Sequence, residues 1–412
     1  MPSETPEAET ATPDYVADSV MGDQPKRAQK ISMGSNSKFS VTAGLSVSRD
    51  DNVFLTSPTA ESNGKPISKT SDTIIALTPG VDYTFGQDSL AHGSVSYKNA
   101  ITRYMDKSSP NVALSNAAAD FGYDSGSTAV LGSASFQQLN QNNSTVAALG
   151  QQEIIRQDLL GLSASVEPHL TAKTSLKTGL NYTDLKYKTD GLIGSQDTEV
   201  PLKIYLEATP KVSVSAGVSY RRSTPQNDGS NAALKVGPSS KDWDYNIGAR
   251  GNFTAKLSGE FSLDYRTRTV GTTPKERENL WGFNGNLQYE ITPKTTSSLV
   301  FTRDFNIGAL GQSLKNSSYA LRFSSDPSPQ WQLGAELSFR QAEYGPYAFR
   351  LNNTSTQLDR NDKTWDANVQ ATYLFRSWLS LTAGYTFRHN SSTLADAEYN
   401  DNILSLILGW QY

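Results

Sequence analysis

The feature that most constrains this chain is a period of two. From about Ser37 to the last residue, apolar side chains recur at every second position, as in segments 39–47 (FSVTAGLSV), 212–220 (VSVSAGVSY) and 331–339 (WQLGAELSF). A strand puts successive side chains on opposite faces, so each such segment has one apolar face. The other face carries Ser, Thr, Gly, Asn, Glu and Arg and must meet water. No stretch of comparable length shows a helical period, and no run approaches the roughly 18–20 apolar residues of a membrane helix. At the C-terminus Leu404, Leu406, Leu408, Trp410 and Tyr412 still share a face. An open sheet this long would expose backbone edges, whereas closure into a barrel removes them.

Composition agrees with a barrel whose interior is wet. Of 412 residues only 36% are hydrophobic, yet there are 19 Tyr and 6 Trp. The mean hydropathy is −0.49. A soluble core of this length needs more Leu, Ile and Val, while aromatic girdles around a polar lumen need Tyr and Trp. The net charge of −4 argues against nucleic acid as a partner. No cysteine is present, so there is neither a disulfide framework nor a thiolate metal site. Residues 1–36 are polar and aperiodic, and we expect a disordered or loosely held periplasmic tail ahead of a barrel over 37–412. The start lacks the basic and apolar regions of a signal peptide. Export therefore implies a signal already removed or a misassigned start.

Connections alternate between two kinds. Short ones fall at 86–88, 124–127, 168–173, 209–211, 254–256, 292–294, 326–329 and 375–377. Long polar ones fall near 51–71, 105–113, 140–152, 189–198, 223–240, 271–279, 307–315, 345–362 and 390–399. Seventeen connections predict an all-β, closed antiparallel transmembrane barrel of about 18 strands, with short periplasmic turns and longer extracellular loops. The strand from Phe39 to Asp50 is expected beside that from Asn402 to Tyr412. Leu333, Val214, Val369, Leu381 and Leu406 are expected to face lipid.

A repeat runs through the turns. Nine residues after Asp88, Ser127, Lys173, Lys211, Lys256, Gln330 and Trp378 stand Tyr97, Phe136, Tyr182, Tyr220, Tyr265, Phe339 and Phe387. Nine residues of strand, tilted by about 40°, climb on the order of 23 Å, close to the roughly 25 Å apolar band of such barrels. These aromatics are expected at the outer membrane interface. Phe85, Phe253, Tyr289, Phe375, Trp410 and Tyr412 are expected at the periplasmic one. The turn at Lys294 breaks the rule, with Arg303 in the aromatic's place.

The residue after each girdle aromatic must point inward. Gln137 and Thr183 stand there in two repeats and Asp304 in the exceptional one; the other five are the basic Lys98, Arg221, Arg266, Arg340 and Arg388. They are expected to form a pore-lining basic arc near the outer mouth, opposed by the inward acids Asp244, Glu260, Asp264, Glu290, Glu336 and Asp366. A bland reading is lumen solvation by neighbouring ion pairs, such as Asp244 with Arg266 or Asp366 with Arg340. A sharper one is a charged constriction that filters solutes.

Other chemistry is sparse. His92, His169 and His389 lie far apart without metal spacing. His389 and Ser392 are the one place for a barrel hydrolase's His–Ser pair. The acidic stretches 359–362 and 396–401 lack a calcium-loop spacing. We expect no catalytic residue, metal or cofactor.

Segment 44–54 (GLSVSRDDNVF), Thr78-Pro79-Gly80 and the Thr-Pro-Lys turns leading into strands that end in Tyr resemble the Putative beta-barrel porin 2 family over residues 37–412. That family includes barrels associated with exopolysaccharide operons. The resemblance implies a Gram-negative outer-membrane location and a pore or export role, without catalytic residues. Tyr412, preceded by alternating apolar residues, resembles the C-terminal signal read by the outer-membrane assembly machinery. The expected function is a pore for polar solutes or exopolysaccharide, with outer-membrane lipids around it. The alternatives are a plugged barrel acting as an interaction or assembly scaffold, and an outer-membrane hydrolase.

Overall fold

The computed structural model describes residues 31–32, 36–59, 61–62, 65–87, 89–106, 111–142, 154–188, 192–226, 238–271, 276–351 and 354–412. The expected tail 1–36 lies almost wholly outside these. Eighteen strands form the wall. They are β1 (Ser37–Asp50), β2 (Asp72–Phe85), β3 (Ala91–Tyr104), β4 (Val112–Asp124), β5 (Thr128–Asn142), β6 (Ile154–Thr171), β7 (Thr174–Tyr187), β8 (Gly194–Thr209) and β9 (Val212–Gln226). They continue as β10 (Ser240–Asn252), β11 (Leu257–Val270), β12 (Glu276–Thr292), β13 (Thr295–Ile307), β14 (Ser313–Ser328), β15 (Trp331–Leu351), β16 (Thr354–Arg376), β17 (Leu379–Ser392) and β18 (Tyr399–Gln411). A two-residue strand, Ile31–Ser32, adds to the edge of β1. Every strand pairs antiparallel with its chain neighbours. β1 pairs with β18 from Thr42↔Gln411 to Asp50↔Ile403, which closes the barrel as the alternation predicts.

The wall is inverted relative to a soluble protein. In β1 Val41, Leu45 and Val47 are 40–44% exposed, while Ser40, Thr42, Ser46 and Ser48 are buried. Leu333, Val214, Val369, Leu381 and Leu406 are likewise exposed. Apolar atoms outward and polar atoms inward minimise free energy only when the outside is hydrocarbon. Among the described residues no helix is long and apolar enough to cross a membrane; the crossing elements are strands.

The short turns have a common mechanism. Thr209 Oγ1 accepts the amides of Lys211 (3.3 Å) and Val212 (3.1 Å), and Thr254 Oγ1 those of Lys256 (3.2 Å) and Leu257 (2.9 Å). Thr292 Oγ1 accepts that of Lys294 (3.3 Å). Proline after Thr209 and Thr292 presets the turn dihedral. Register shifts sit beside several of these turns, as between Glu207 and Thr209 or Glu290 and Thr292, and sharpen the bend.

One expected loop is mostly strand. Within 345–362, β15 and β16 stay paired to Leu351↔Thr354. Loss of apolar alternation marks where a strand leaves lipid, not where its ladder ends, because backbone groups still gain by pairing in water.

Candidate functional site

The connection between β13 and β14 does not stay in the wall. β11 and β12 pair up to Val270↔Glu276, but β12 and β13 stop at Phe283↔Arg303. Above that point β13 and β14 remain paired with each other to Ile307↔Ser313, and β14 stays laddered to β15 as far as Leu314↔Tyr344, so the end of β13 and the bend that follows it turn inward as a hairpin tip that is detached from β12 alone. Gly282 permits the departure. A Cβ there would lie 2.7 Å from the Arg303 carbonyl oxygen. The bend is closed by Gly308 and Gly311. Gly311 N–H donates to Gly308 O (2.7 Å), and Gly311 has φ +80°, which favours glycine.

The tip crosses the outer mouth to strands it does not adjoin. Ile193 N–H, just before β8, donates to Ala309 O at 2.8 Å. Ala309 and Leu310 pack on Ile155, Leu159, Leu185, Tyr187 and Leu192, an apolar cluster at the loop ends of β6 and β7 and the approach to β8. Phe305 and Leu314 are fully buried.

Three inward arginines grip the base of the tip. Arg221 on β9 donates to Asp304 through Nη1 (2.7 Å to Oδ2) and Nη2 (2.9 Å to Oδ1), and to Phe305 O (2.9 Å). Its Nε and Nη2 also reach Asp242 on β10 (3.0 and 2.7 Å). Arg266 on β11 forms ion pairs with Asp244 (3.3 Å) and with Asp304. Arg268, 1% exposed, makes a two-pronged contact with Asp242 (2.9 and 2.8 Å) and donates to Asn306 O (2.9 Å). Its guanidinium lies 4.7 Å from the Phe305 ring centre. Two guanidiniums converging on one carboxylate, one of them bidentate, is the strong form of charge-assisted recognition.

The structure thus brings together Arg221, Arg266, Asp244 and Asp304 from the sequence-derived set. Arg388 faces Asp401 across β17 and β18 at 3.6 Å. Lys98 stands between Gly80 and Asn116, and Arg340 between Ser318 and Thr364. Glu260 meets Lys203 (3.6 Å) and the Tyr205 hydroxyl (3.2 Å), Asp264 accepts from Ser262 Oγ (3.0 Å) and Asp366 from Ser338 Oγ (3.4 Å). Glu336 pairs with Arg322 (2.8 Å), and Glu290 is exposed beside the Lys294 turn. A second inner cluster lies lower: Arg250 pairs with Glu167 and sits 3.5 Å over the Tyr205 ring. Sequence reasoning missed Arg268, Asp242 and Phe305. Its one signal was the broken repeat at Arg303, where the strand leaves the wall.

Aromatics form a belt near the loop ends. Ring contacts join Tyr220–Trp243 (5.1 Å), Tyr265–Trp281 (5.0 Å), Phe283–Tyr319 (5.6 Å), Tyr319–Phe339 (6.2 Å) and Phe339–Trp365 (4.5 Å). Tyr97 is exposed on the same face, and Phe136, Tyr182 and Phe387 are half-buried. At the turn ends Tyr373 packs with Trp331 and Phe375. Trp410 pairs with Ala43 and Leu379, and Tyr412 exchanges backbone hydrogen bonds with Val41 (2.8 Å each).

His389 and Ser392 face opposite ways. His389 Nδ1 meets Asn400 Oδ1 (2.6 Å), while Ser392 Oγ donates to Asp362 (2.6 Å). Asp50, Asp51 and Asp401 each bring an oxygen within 4.8 Å of the others at the outer end of the β1–β18 seam.

Fold and site define an outer-membrane β-barrel of porin type. The Putative beta-barrel porin 2 family matches residues 91–412, and the chain belongs to that family. No curated protein matches it. Similar solved structures include OccK9 (OpdG) of Pseudomonas aeruginosa, with 11% identity over 91% of this chain and 98% of that one at TM-score 0.44. The FrpB iron transporter of Neisseria meningitidis has 11% identity over 92% and 82% at TM-score 0.44. OpdQ of Pseudomonas aeruginosa has 10% identity over 91% and 98% at TM-score 0.40.

Proposed function

We propose that the protein is a pore for small polar solutes in the bacterial outer membrane, narrowed at its outer mouth by the β13–β14 hairpin tip. The observation that carries this reading is the tip itself: it spans from β13 to the β6–β8 side and is gripped by lumen-facing arginines. Barrels of 16–18 strands are wide enough to hold an aqueous channel (roughly, by strand number), so a tip of this size narrows the lumen. Lipid surrounds the exposed apolar face. The C-terminal strand ending at Tyr412 is the segment offered to the assembly machinery. Exopolysaccharide passage, which the family resemblance raised, is the alternative cargo of the same pore.

The rival reading is a plugged barrel that serves as a scaffold, favoured if the tip never moves. Conductance of the purified protein in a planar bilayer, with a polyethylene-glycol exclusion series, tests both. Discrete steps blocked by small polymers support the narrowed pore. Steps insensitive to all but large polymers favour polymer export, and silence under every condition favours the scaffold.

A further inference from the structure

Asp304 is an internal carboxylate held as a ligand would be. Arg221 presents two nitrogens to its two oxygens, and Arg266 approaches it from two strands away. Planar bidentate donation suits carboxylates better than it suits a spherical anion such as chloride. The rest of the tip is docked by a backbone hydrogen bond from Ile193, by Ala309 and Leu310, by Arg268 against the Phe305 ring and Ser313 Oγ (3.3 Å), by Lys315 with Glu278 of β12 (3.6 Å), and by the carbonyls that Arg221 and Arg268 hold.

The wall also has a place for the tip to go. Residues Glu276–Gly282 of β12 pair with β11 on one side and, among the described residues, have no ladder partner on the other. Continuing the register beyond Phe283↔Arg303 sets Gly282 opposite Asp304 and Trp281 opposite Phe305. Directly opposed residues share a face. Phe305, now fully buried, would then join the outward belt beside Trp281, which is 71% exposed. Arg303, at the pivot, carries a buried Nε without a hydrogen-bond partner. In the wall position Asp304 would stand in the inward row that holds Asp264 opposite Gly282. That repulsion favours the docked state when nothing competes for the arginines.

We propose that Arg221 and Arg266 form a carboxylate-binding site of the lumen, occupied by Asp304 when the hairpin is docked. A small carboxylate solute displaces Asp304, and the tip re-pairs with Glu276–Gly282, widening the pore. This rests on the pore reading and names its solute class and its gate.

The chain has no cysteine, so introduced pairs are unambiguous. The test uses full-length protein in planar bilayers, with potassium acetate replacing potassium chloride at constant ionic strength. Ile193→Cys with Ala309→Cys tethers the tip in the lumen, and Trp281→Cys with Phe305→Cys captures it in the wall. We expect acetate to raise wild-type conductance at least threefold, and Asp304→Ala to be raised without acetate. The oxidised lumen tether should stay low in acetate and recover its response on reduction, and the wall pair should cross-link faster in acetate. Wild-type conductance that ignores acetate, with Asp304→Ala and both tethers matching it, overturns the inference while leaving the pore intact. Silence from every variant, including the wall-captured one, overturns the pore reading itself.

Discussion

Two junctions in the wall behave in opposite ways. β1 and β18 lie at opposite ends of the sequence, yet pair from Val41 and Tyr412 to Asp50↔Ile403, and Asp51 and Asn402 extend the contact through backbone and side chain. β12 and β13 are joined by a tight turn, yet separate at Phe283↔Arg303. Chain proximity therefore does not decide where the wall is continuous. The side chains at each junction do. Along the seam Val47, Leu404 and Leu406 face outward, and the outward Arg49 opposite Leu404 is held by Ser71 Oγ (2.7 Å) and Thr73 Oγ1 (3.0 Å), whereas β13 turns Arg303, whose buried Nε lacks a hydrogen-bond partner among the described residues, outward at the position where other repeats place an aromatic. With less apolar surface to gain there, the hairpin finds more favourable contacts inside, where Arg221, Arg266 and Arg268 offer charged donors and β6–β8 offer an apolar bed.

The largest expected effect separates these two junctions directly. Arg268→Met leaves Asp242 with one guanidinium instead of two and removes the donor to Asn306 O. Breaking a buried pair costs about 3–5 kcal/mol; the Asp242 pair lies between the wall strands β10 and β11, and the part of the loss that falls on the docked hairpin comes from the bond to Asn306 O and the contacts with Phe305 and Ser313. Hydrogen exchange should speed up at amides 304–316 while the seam stays protected; equal acceleration at both sites would show that the hairpin is not a separate unit. Next comes Leu406→Arg at the seam, where a charge on the lipid face at mid-depth costs about 2–4 kcal/mol. Urea unfolding in detergent or lipid should shift accordingly. An unchanged midpoint would mean that this face does not meet hydrocarbon.

The barrel was legible because its cause is local and repeated. Alternation in β1, β9 and β15 fixes the two faces, and the Thr-Pro-Lys turns fix direction, so closure and strand number followed. The inward direction of Arg221 and Arg266 followed from the same parity, as did the neighbourhood of Asp244 and Arg266. The docking of the hairpin was not legible. Ala309 and Leu310 look like any loop residues, and their partners Ile155, Leu185 and Leu192 lie more than a hundred residues away. Nothing periodic links them. Arg268 was hidden for a related reason. It lies two residues beyond the girdle step, above the repeat that made Arg266 visible, and its burial comes from the folded-in tip rather than from its own strand.

A smaller effect weighs the tip's apolar contact against its charged grip. Leu310→Ser removes one side chain from the bed on β6–β8. Partial burial of a leucine contributes about 1–2 kcal/mol, so the tip should undock more often while Asp304 still returns to Arg221. In bilayers this should appear as brief openings rather than a sustained rise in conductance. A sustained rise would mean that the apolar bed, and not the arginines, holds the gate.

The smallest expected effect is at the far end of the same hairpin strands. Thr292 Oγ1 accepts the Lys294 amide at 3.3 Å, a long bond at the β12–β13 turn. Thr292→Val removes the acceptor and should cost about 0.5 kcal/mol, the low end for a hydrogen bond. β12 and β13 remain paired from Thr292↔Thr295 to Phe283↔Arg303, which separates the turn from the tip by the full ladder. Undocking should therefore be indifferent to the turn: exchange at amides 304–316 should match wild type, with only a slight loss of barrel stability. Faster exchange at the tip in this variant would show that the two strands slide as a whole. The pivot would then lie at the turn rather than at Arg303, and Gly282 would lose its role as the point where the wall opens.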